Sequence, residues 1–500
     1  MRFPRLNWTE LLLAVLLYAT VLVYQGYQYG TGDQSQILPC LYAQDHPGTY
    51  GADHYVTSYL KSDVNERTIF HFLFRYLGYN QPWIVWLWHA LLGITLMWAW
   101  LRIAGLGIVQ PAYRYLAVAS IFIIGFHTSV GSNELYYNMV IPSMAAKAIC
   151  SWGLYYWLEE DYAWWAGLLA AGGLLQPLVG AQLFLITGFA LIVHLGLKKK
   201  WNEMPWKPIG AYLLVTVPWM VLLAWNNGGG NDPKGFMDIM AFRLSHHFFP
   251  SSFGWKHLLI FVVFAIFTLR FYKQRLKWFI LAILLGCIFY TIGVEHYRWP
   301  TVLYTQWWKT TIWLEALAFI ALFVNLDKAS PAPRWIPKYK WVIPILLFML
   351  IGMYRLTGWF GSTPEYLLPW SSGKSDEVDI SQQAEKLTPP DAVFIVPVEF
   401  TAFRWYSKRN LYVDYKALFH QQPFLEEWYR RIEKIYAYGL KEKEAGFDLH
   451  VFSTTLLEEP SLISRDYWKS LGIGYIISPS PDVKNLEKVG SNSTYTIYKL

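Results

Sequence analysis

The chain has 500 residues, of which 54% are hydrophobic and 15% charged, with 27 Trp, 35 Tyr and 30 Phe. A soluble domain carries about 25% charged residues, so this balance excludes an ordinary soluble protein and makes lipid the main solvent. The formal charge of +7 is unevenly held: residues 1–360 contain 26 Lys and Arg against 16 Asp and Glu, and residues 361–500 contain 16 against 19. The basic excess sits in short loops between apolar runs, not on a soluble face, which makes the lipid bilayer the partner and argues against nucleic acid.

In chain order, apolar runs long enough to cross a bilayer, alone or in company, fall near residues 9–28, 83–103, 115–128, 142–158, 163–175, 178–197, 209–225, 256–272, 278–294, 307–326 and 341–359. These eleven runs predict a polytopic α-helical membrane protein with about 11 transmembrane helices. Several are shorter than the ~20 residues of a lone spanning helix, notably the pair meeting at Gln176 and Pro177. The first run follows Arg2 and Arg5 and has no small-residue cleavage site after it, so it reads as a retained span.

Cytoplasmic loops are enriched in Lys and Arg. With the N-terminus inside, the inner loops hold sixteen basic residues, among them Arg102, Arg114, Lys198–Lys200, Arg275 and Lys338, and the outer loops hold eight. This bias predicts a cytoplasmic N-terminus, and an odd number of spans puts the C-terminal part outside. One inner loop, Glu159-Glu160-Asp161, has no basic residue of its own.

The outer loop 29–82 is the longest and is rich in Asp, His and Tyr, and outer loop 226–255 contains NNGGGNDP and RLSHHFFP. From residue 361 the pattern becomes that of a small soluble α/β domain. It has an amphipathic segment ending at Leu387, a β-rich run at 392–400, LYVDY at 411–415, a helix from Pro423 to about Ala445, and closing strands in GIGYIISPS and STYTIYKL. The predicted division is 1–360 for the transmembrane domain with its two outer loops and 361–500 for the extracytoplasmic α/β domain.

Polar chemistry concentrates on the outer side. Asp33, in GTGDQSQILP, lies a few residues beyond the first span, and Asp45-His46 and Asp53-His54 follow. A carboxylate at the water–lipid boundary can deprotonate a sugar hydroxyl as general base, or hold a divalent cation such as Mg or Mn against a phosphate, with an imidazole sharing the proton. The competing reading is that Asp beside Gly or Pro punctuates and caps turns. Arg243, His246 and His247 in AFRLSHHFFP and Arg298 in EHYRWP offer donors for phosphate oxygens, unless they merely reach toward headgroups. Glu134, Lys147 and Glu315 are ionisable residues in or beside spans, where such groups usually face a cavity or a partner. Cys40, Cys150 and Cys287 show no CxxC spacing, and no P-loop, GxSxG, HExxH or dinucleotide fingerprint is present.

The arrangement, with GDQSQILP, GADHY, RLSHHFFP and the stretch from LPPDAVFIVP to RNLYVDYK, resembles the GT-C superfamily of membrane glycosyltransferases, and more narrowly a bacterial family of multi-pass proteins within it. The resemblance implies a polyprenyl-phosphate-linked sugar as donor, a glycan, lipid or protein as acceptor, and a place in the bacterial inner membrane with a periplasmic C-terminal domain. It implies that Asp33 is the catalytic base or a metal ligand and that basic residues of later outer loops hold the carrier phosphate, which suits Arg243, His246 and His247; Asp53, His54 and Arg298 stand beside them as substrate-binding candidates on their own chemistry and their place in the outer loops. Many relatives show a close acidic pair in the first outer loop. Here Asp33 stands alone, with Asp45 and Asp53 spaced out, which speaks against a metal-dependent mechanism. The alternative is a non-catalytic protein that binds or translocates a lipid-linked glycan in envelope assembly.

Overall fold

The computed structural model describes residues 7–62, 64–131, 133–227, 232–329, 341–356, 375–398, 400–436, 465–483 and 486–500. The chain forms two compact units, one made of residues 1–27, 86–222 and 243–367 and the other of residues 28–85, 223–242 and 368–500.

The first unit is helical. Each of the eleven apolar runs contains a helix: Trp8–Gln25, Pro82–Gly105, Pro111–Ile123, Pro142–Leu158, Tyr162–Leu175, Pro177–Leu197, Trp206–Asn227, Trp255–Phe271, Gln274–Thr291, Thr311–Ala329 and Val342–Leu356. The end of the last run, 357–359, lies outside the described residues. Among the described residues, six segments are long and apolar enough to cross a membrane: Trp8–Gln25, Pro82–Gly105, Pro177–Leu197, Trp206–Asn226, Gln274–His296 and Pro300–Ala329. The protein is therefore a multi-pass α-helical membrane protein.

Local sequence sets the helix ends. Asn7 caps Trp8–Gln25 by accepting from the Thr9 N–H, and Pro111, Pro142 and Pro177 each open a helix, where a missing N–H costs nothing. The break at Gln176-Pro177 gives two helices that pack on each other: a Cβ on Gly180 would lie 2.5 Å from Gly173, so only glycine permits this approach.

Charged ends of these helices pair with each other. Arg102 lies 2.7 Å from Glu10 and Arg114 3.5 Å from it, while the Val109 N–H donates to Asp327 at 2.7 Å. Arg275 reaches Glu160 at 3.1 Å and donates to the Leu158 carbonyl at 2.5 Å. The acidic 159–161 loop that lacks a cation of its own is thus served by Arg275 from the first turn of helix Gln274–Thr291. Arg2, Arg5, Arg334, Lys338 and Lys340 of the charge count lie outside the described residues.

The second unit is α/β. Its sheet contains β1 (Val393–Ile395), β2 (Asn410–Leu411), β3 (Tyr475–Ser478), β4 (Glu487–Ser491) and β5 (Thr496–Lys499), in the order β2-β1-β3-β5-β4. β1 pairs parallel with β2 and β3, and β5 pairs antiparallel with β3 and β4. The helix Asp376–Leu387, capped by Ser375, buries Ile380 and Ala384 against Phe394, Phe403, Leu411, Ile477 and Ile497. Helix Gln422–Tyr436 begins at the expected point, and its expected continuation to Ala445 lies outside the described residues. β4 was not legible in the sequence: its residues are half-buried or exposed and lack the apolar alternation of a strand.

These units cut the chain differently from a division at residue 360. Residues 28–85, expected as a loop of the transmembrane domain, fold as a short 3-10 turn (Gly32–Gln36) and three helices (Leu38–Asp45, His54–Lys61 and Thr68–Tyr76) within the α/β unit. The Tyr50 hydroxyl donates to the Arg404 carbonyl at 2.6 Å, the Ala52 N–H to Asn410 at 3.0 Å, and the Tyr406 hydroxyl to the Tyr29 carbonyl at 2.9 Å. The 226–255 loop forms the helix Pro233–Phe248, broken at Leu244 (φ −129°, ψ 26°).

Candidate functional site

The first spanning helix ends at Gln25, and two glycines in left-handed conformations, Gly30 (φ 74°) and Gly32 (φ 55°), turn the chain that follows. The Gly30 N–H donates to the Gln34 side chain at 2.9 Å, the Gly32 N–H to the Thr401 hydroxyl at 3.0 Å, and the Ser35 hydroxyl to the Gly32 carbonyl at 2.7 Å. Gln34, Ser35 and Gln36 are buried by this turn, and Asp33 is left facing out with its side chain 42% exposed. The Lys416 ammonium lies 2.7 Å from Asp33 Oδ1, itself 35% exposed.

A second group of charges belongs to the same unit. Arg67 donates to the Gln36 side chain at 3.0 Å and the Tyr55 hydroxyl at 3.2 Å, and lies 3.6 Å from Glu66. His420 Nδ1 is 3.8 Å from Glu66. Burial works to raise the Glu66 pKa, but the His420 imidazole and the Arg67 guanidinium outweigh it and bring the carboxyl down to about 2. Arg67 is also stabilised in its charged form by Tyr55, Glu66 and Asp33.

Asp53 departs from the expectation of a substrate-binding carboxylate. It is fully buried, caps the helix His54–Lys61 through the Val56 N–H at 3.1 Å, and accepts from Arg404 Nε at 2.6 Å and the Leu411 N–H at 3.0 Å. Arg404 also pairs with Asp414, so one buried guanidinium joins two buried carboxylates. Asp53 is committed to the fold because its oxygens are already bonded out of reach of water. His54 stacks on Phe424 with ring centroids 4.7 Å apart, and burial and the Arg431 charge lower its pKa. Asp45 is also engaged, with Arg75 at 2.6 Å and the Tyr79 hydroxyl at 2.6 Å.

Arg243, His246, His247 and Arg298 belong to the helical unit. Arg243 is buried at 8% exposure, His246 and Arg298 are exposed, and the His246 and His247 rings lie 4.0 Å apart. His247 Nδ1 is 2.9 Å from the Gly131 carbonyl, which orients the ring. The same unit contains a small cleft of about 20 Å³ lined in part by Gln25, Asn133, Glu134 and Glu315. Beside it, buried Lys147 donates to Asn133 at 3.0 Å, to the Glu134 carbonyl and to the Tyr137 hydroxyl at 3.3 Å, while the Thr128 hydroxyl donates to Glu315. Glu134 and Glu315 thus line one cleft, and Lys147 is bonded to Asn133 and Glu134 beside it, partners that offset the desolvation of an ionisable group.

Sequence reasoning did not single out Lys416, Thr401, Glu66, Arg67 or His420. Lys416 closes the RNLYVDYK stretch, but nothing in that stretch indicates a partner near residue 33. Among the described residues, no group of three or more His, Cys, Asp or Glu side chains is disposed to hold a metal ion.

The model of a domain of unknown function (DUF6798) matches residues 375–435. No curated protein matches the chain. Among solved structures, the crystal structure of ArnT from Cupriavidus metallidurans bound to undecaprenyl phosphate is 13% identical, covering 98% of this chain and 97% of that one, with a TM-score of 0.45. The crystal structure of the same protein in the apo state is 14% identical, covering 98% and 97%, with a TM-score of 0.46.

Proposed function

We propose that the chain is an integral membrane glycosyltransferase of the GT-C type, which moves a sugar from a polyprenyl-phosphate donor to a glycan, lipid or protein acceptor outside the cytoplasm. The observation that carries this reading is Asp33: a half-exposed carboxylate on a purpose-built turn directly after the first spanning helix, held by a lysine. A carboxylate in that position can act on a substrate whose reactive carbon is anchored at the membrane surface.

In the proposed step the acceptor hydroxyl oxygen attacks the anomeric carbon while its proton passes to Asp33. The bond from that carbon to the phosphate oxygen breaks, and its electron pair leaves with the polyprenyl phosphate. Configuration inverts, and no nucleotide takes part. The growing negative charge on the departing phosphate calls for cations, for which we assign Arg243, His246 and His247, with Arg298 as a further exposed donor. Of the earlier substrate candidates, Asp53 is reassigned to the fold and His54 to packing against Phe424. The N-terminus lies in the cytoplasm of a bacterium and the α/β unit in the periplasm, following the charge bias of the loops.

The test uses the full chain in lipid nanodiscs with a polyprenyl-phosphate-linked monosaccharide and extracted envelope acceptors, and measures polyprenyl phosphate released. Asp33→Asn should lower release by about 10²–10⁴-fold while the protein stays folded. Wild-type turnover in that variant would remove Asp33 from the mechanism. Carrier-lipid binding by the wild type without any release would favour the non-catalytic, translocating role.

A further inference from the structure

We infer that Lys416 is the positioning residue of Asp33, holding its carboxylate ionised and aimed, and that presenting this lysine is a task of the 375–435 segment. The inference rests on Asp33 being the base of the proposed reaction.

The argument begins with the turn that carries Lys416. Asp414 is fixed by Arg404 and accepts the Ala417 N–H at 2.6 Å, so the residues on either side of Lys416 are tied to each other. Tyr415 is buried, with its ring 6.2 Å from Phe242 and 6.0 Å from Trp428, and Trp428 Nε1 donates to the Asp414 carbonyl at 2.8 Å. Asp414, Tyr415 and Ala417 are all buried, and Lys416 is the half-buried residue among them whose ammonium reaches Asp33. The Asp33 turn is gripped from the same segment, through the Thr401 hydroxyl that accepts from the Gly32 N–H. Both partners are therefore set before they meet.

Such a pair has little to offer the fold. Ion pairs between half-exposed side chains add almost nothing to stability, because water screens them and two side chains must be ordered. What a cation 2.7 Å away does change is the carboxylate: it favours the ionised form that can accept a proton. Arg67 acts on Asp33 through space in the same sense. With Arg67 in place, loss of Lys416 should raise the Asp33 titration midpoint by about one unit, the low end of the range for a close opposite charge.

The experiment uses the full chain in nanodiscs, labelled with 13C at the aspartate carboxyl, with the Asp33 signal assigned from Asp33→Asn. Lys416→Met should move the Asp33 midpoint up by about one unit and Lys416→Arg should leave it in place. In the release assay the acid limb of the rate profile should move by the same amount in Lys416→Met only. An unchanged midpoint in Lys416→Met, or an equal shift in Lys416→Arg, overturns the assignment. If Asp33→Asn retains release, the base reading fails and Lys416 loses its catalytic meaning, while the titration still reports whether the lysine governs the carboxylate. The two failures are thus separable.

Discussion

Replacing Arg404 with Met removes the guanidinium that joins Asp53 to Asp414 and keeps much of its volume. Arg404 is 3% exposed, and the side chains of Asp53 and Asp414 are 0% and 5% exposed. Removing one partner of a buried ion pair costs about 3–5 kcal/mol, because a charge is left without compensation. Here two carboxylates are stranded, but Asp53 retains the Val56 and Leu411 N–H groups and Asp414 retains that of Ala417. These donors place the expected loss near the lower limit, about 3 kcal/mol. For a unit of about 200 residues that corresponds to a fall in the unfolding midpoint of roughly 6–12 °C. Pulse proteolysis in nanodiscs, probing cleavage within residues 28–85 and 375–435, measures it. The triple variant Arg404→Met, Asp53→Asn, Asp414→Asn should recover much of the loss, since neutral amides cost far less to bury than unpaired carboxylates. A single-variant loss below about 1 kcal/mol, the scale of an exposed pair, would refute the claim that this triad ties the outer loop to the α/β unit.

Other expectations concern the same unit. Gly30→Ala places a Cβ against the Trp405 ring and 2.9 Å from the Tyr406 ring, at a φ of +74° that alanine adopts poorly, so stability should fall by about 1–3 kcal/mol. A midpoint equal to wild type would show that this turn relaxes freely. Glu66 makes stability depend on acid. Its folded pKa of about 2 lies below the ordinary 4.5, so its contribution is complete above about pH 4.5 and is lost as pH falls toward 2. Glu66→Gln should flatten the stability profile across that window. An identical acid slope in the variant would remove Glu66 from the account.

The outcome of each candidate depended on which features local pattern can encode. Apolar runs, Pro starts and caps act within a few residues, so the eleven helices and the start of helix Gln422–Tyr436 could be read directly. β4 could not, because pairing with β5, not its own composition, makes it a strand. Asp33 and Asp53 look alike in sequence, each within two residues of a glycine in the same polar stretch. Burial separates them: Asp53 is enclosed by Arg404, Leu411 and Val56, while Asp33 remains at the surface with Lys416.

The multi-pass character, the apolar helices and the loops rich in polar side chains were legible in the chain alone, because hydrophobic length and charge are properties of short segments summed along it. The membership of residues 28–85 in the α/β unit, the pairing of Arg275 with Glu160 and the place of Lys416 beside Asp33 emerge only in the folded chain. Those pairings join residues far apart in the chain, and such partners are chosen by packing rather than by any pattern a linear reading contains.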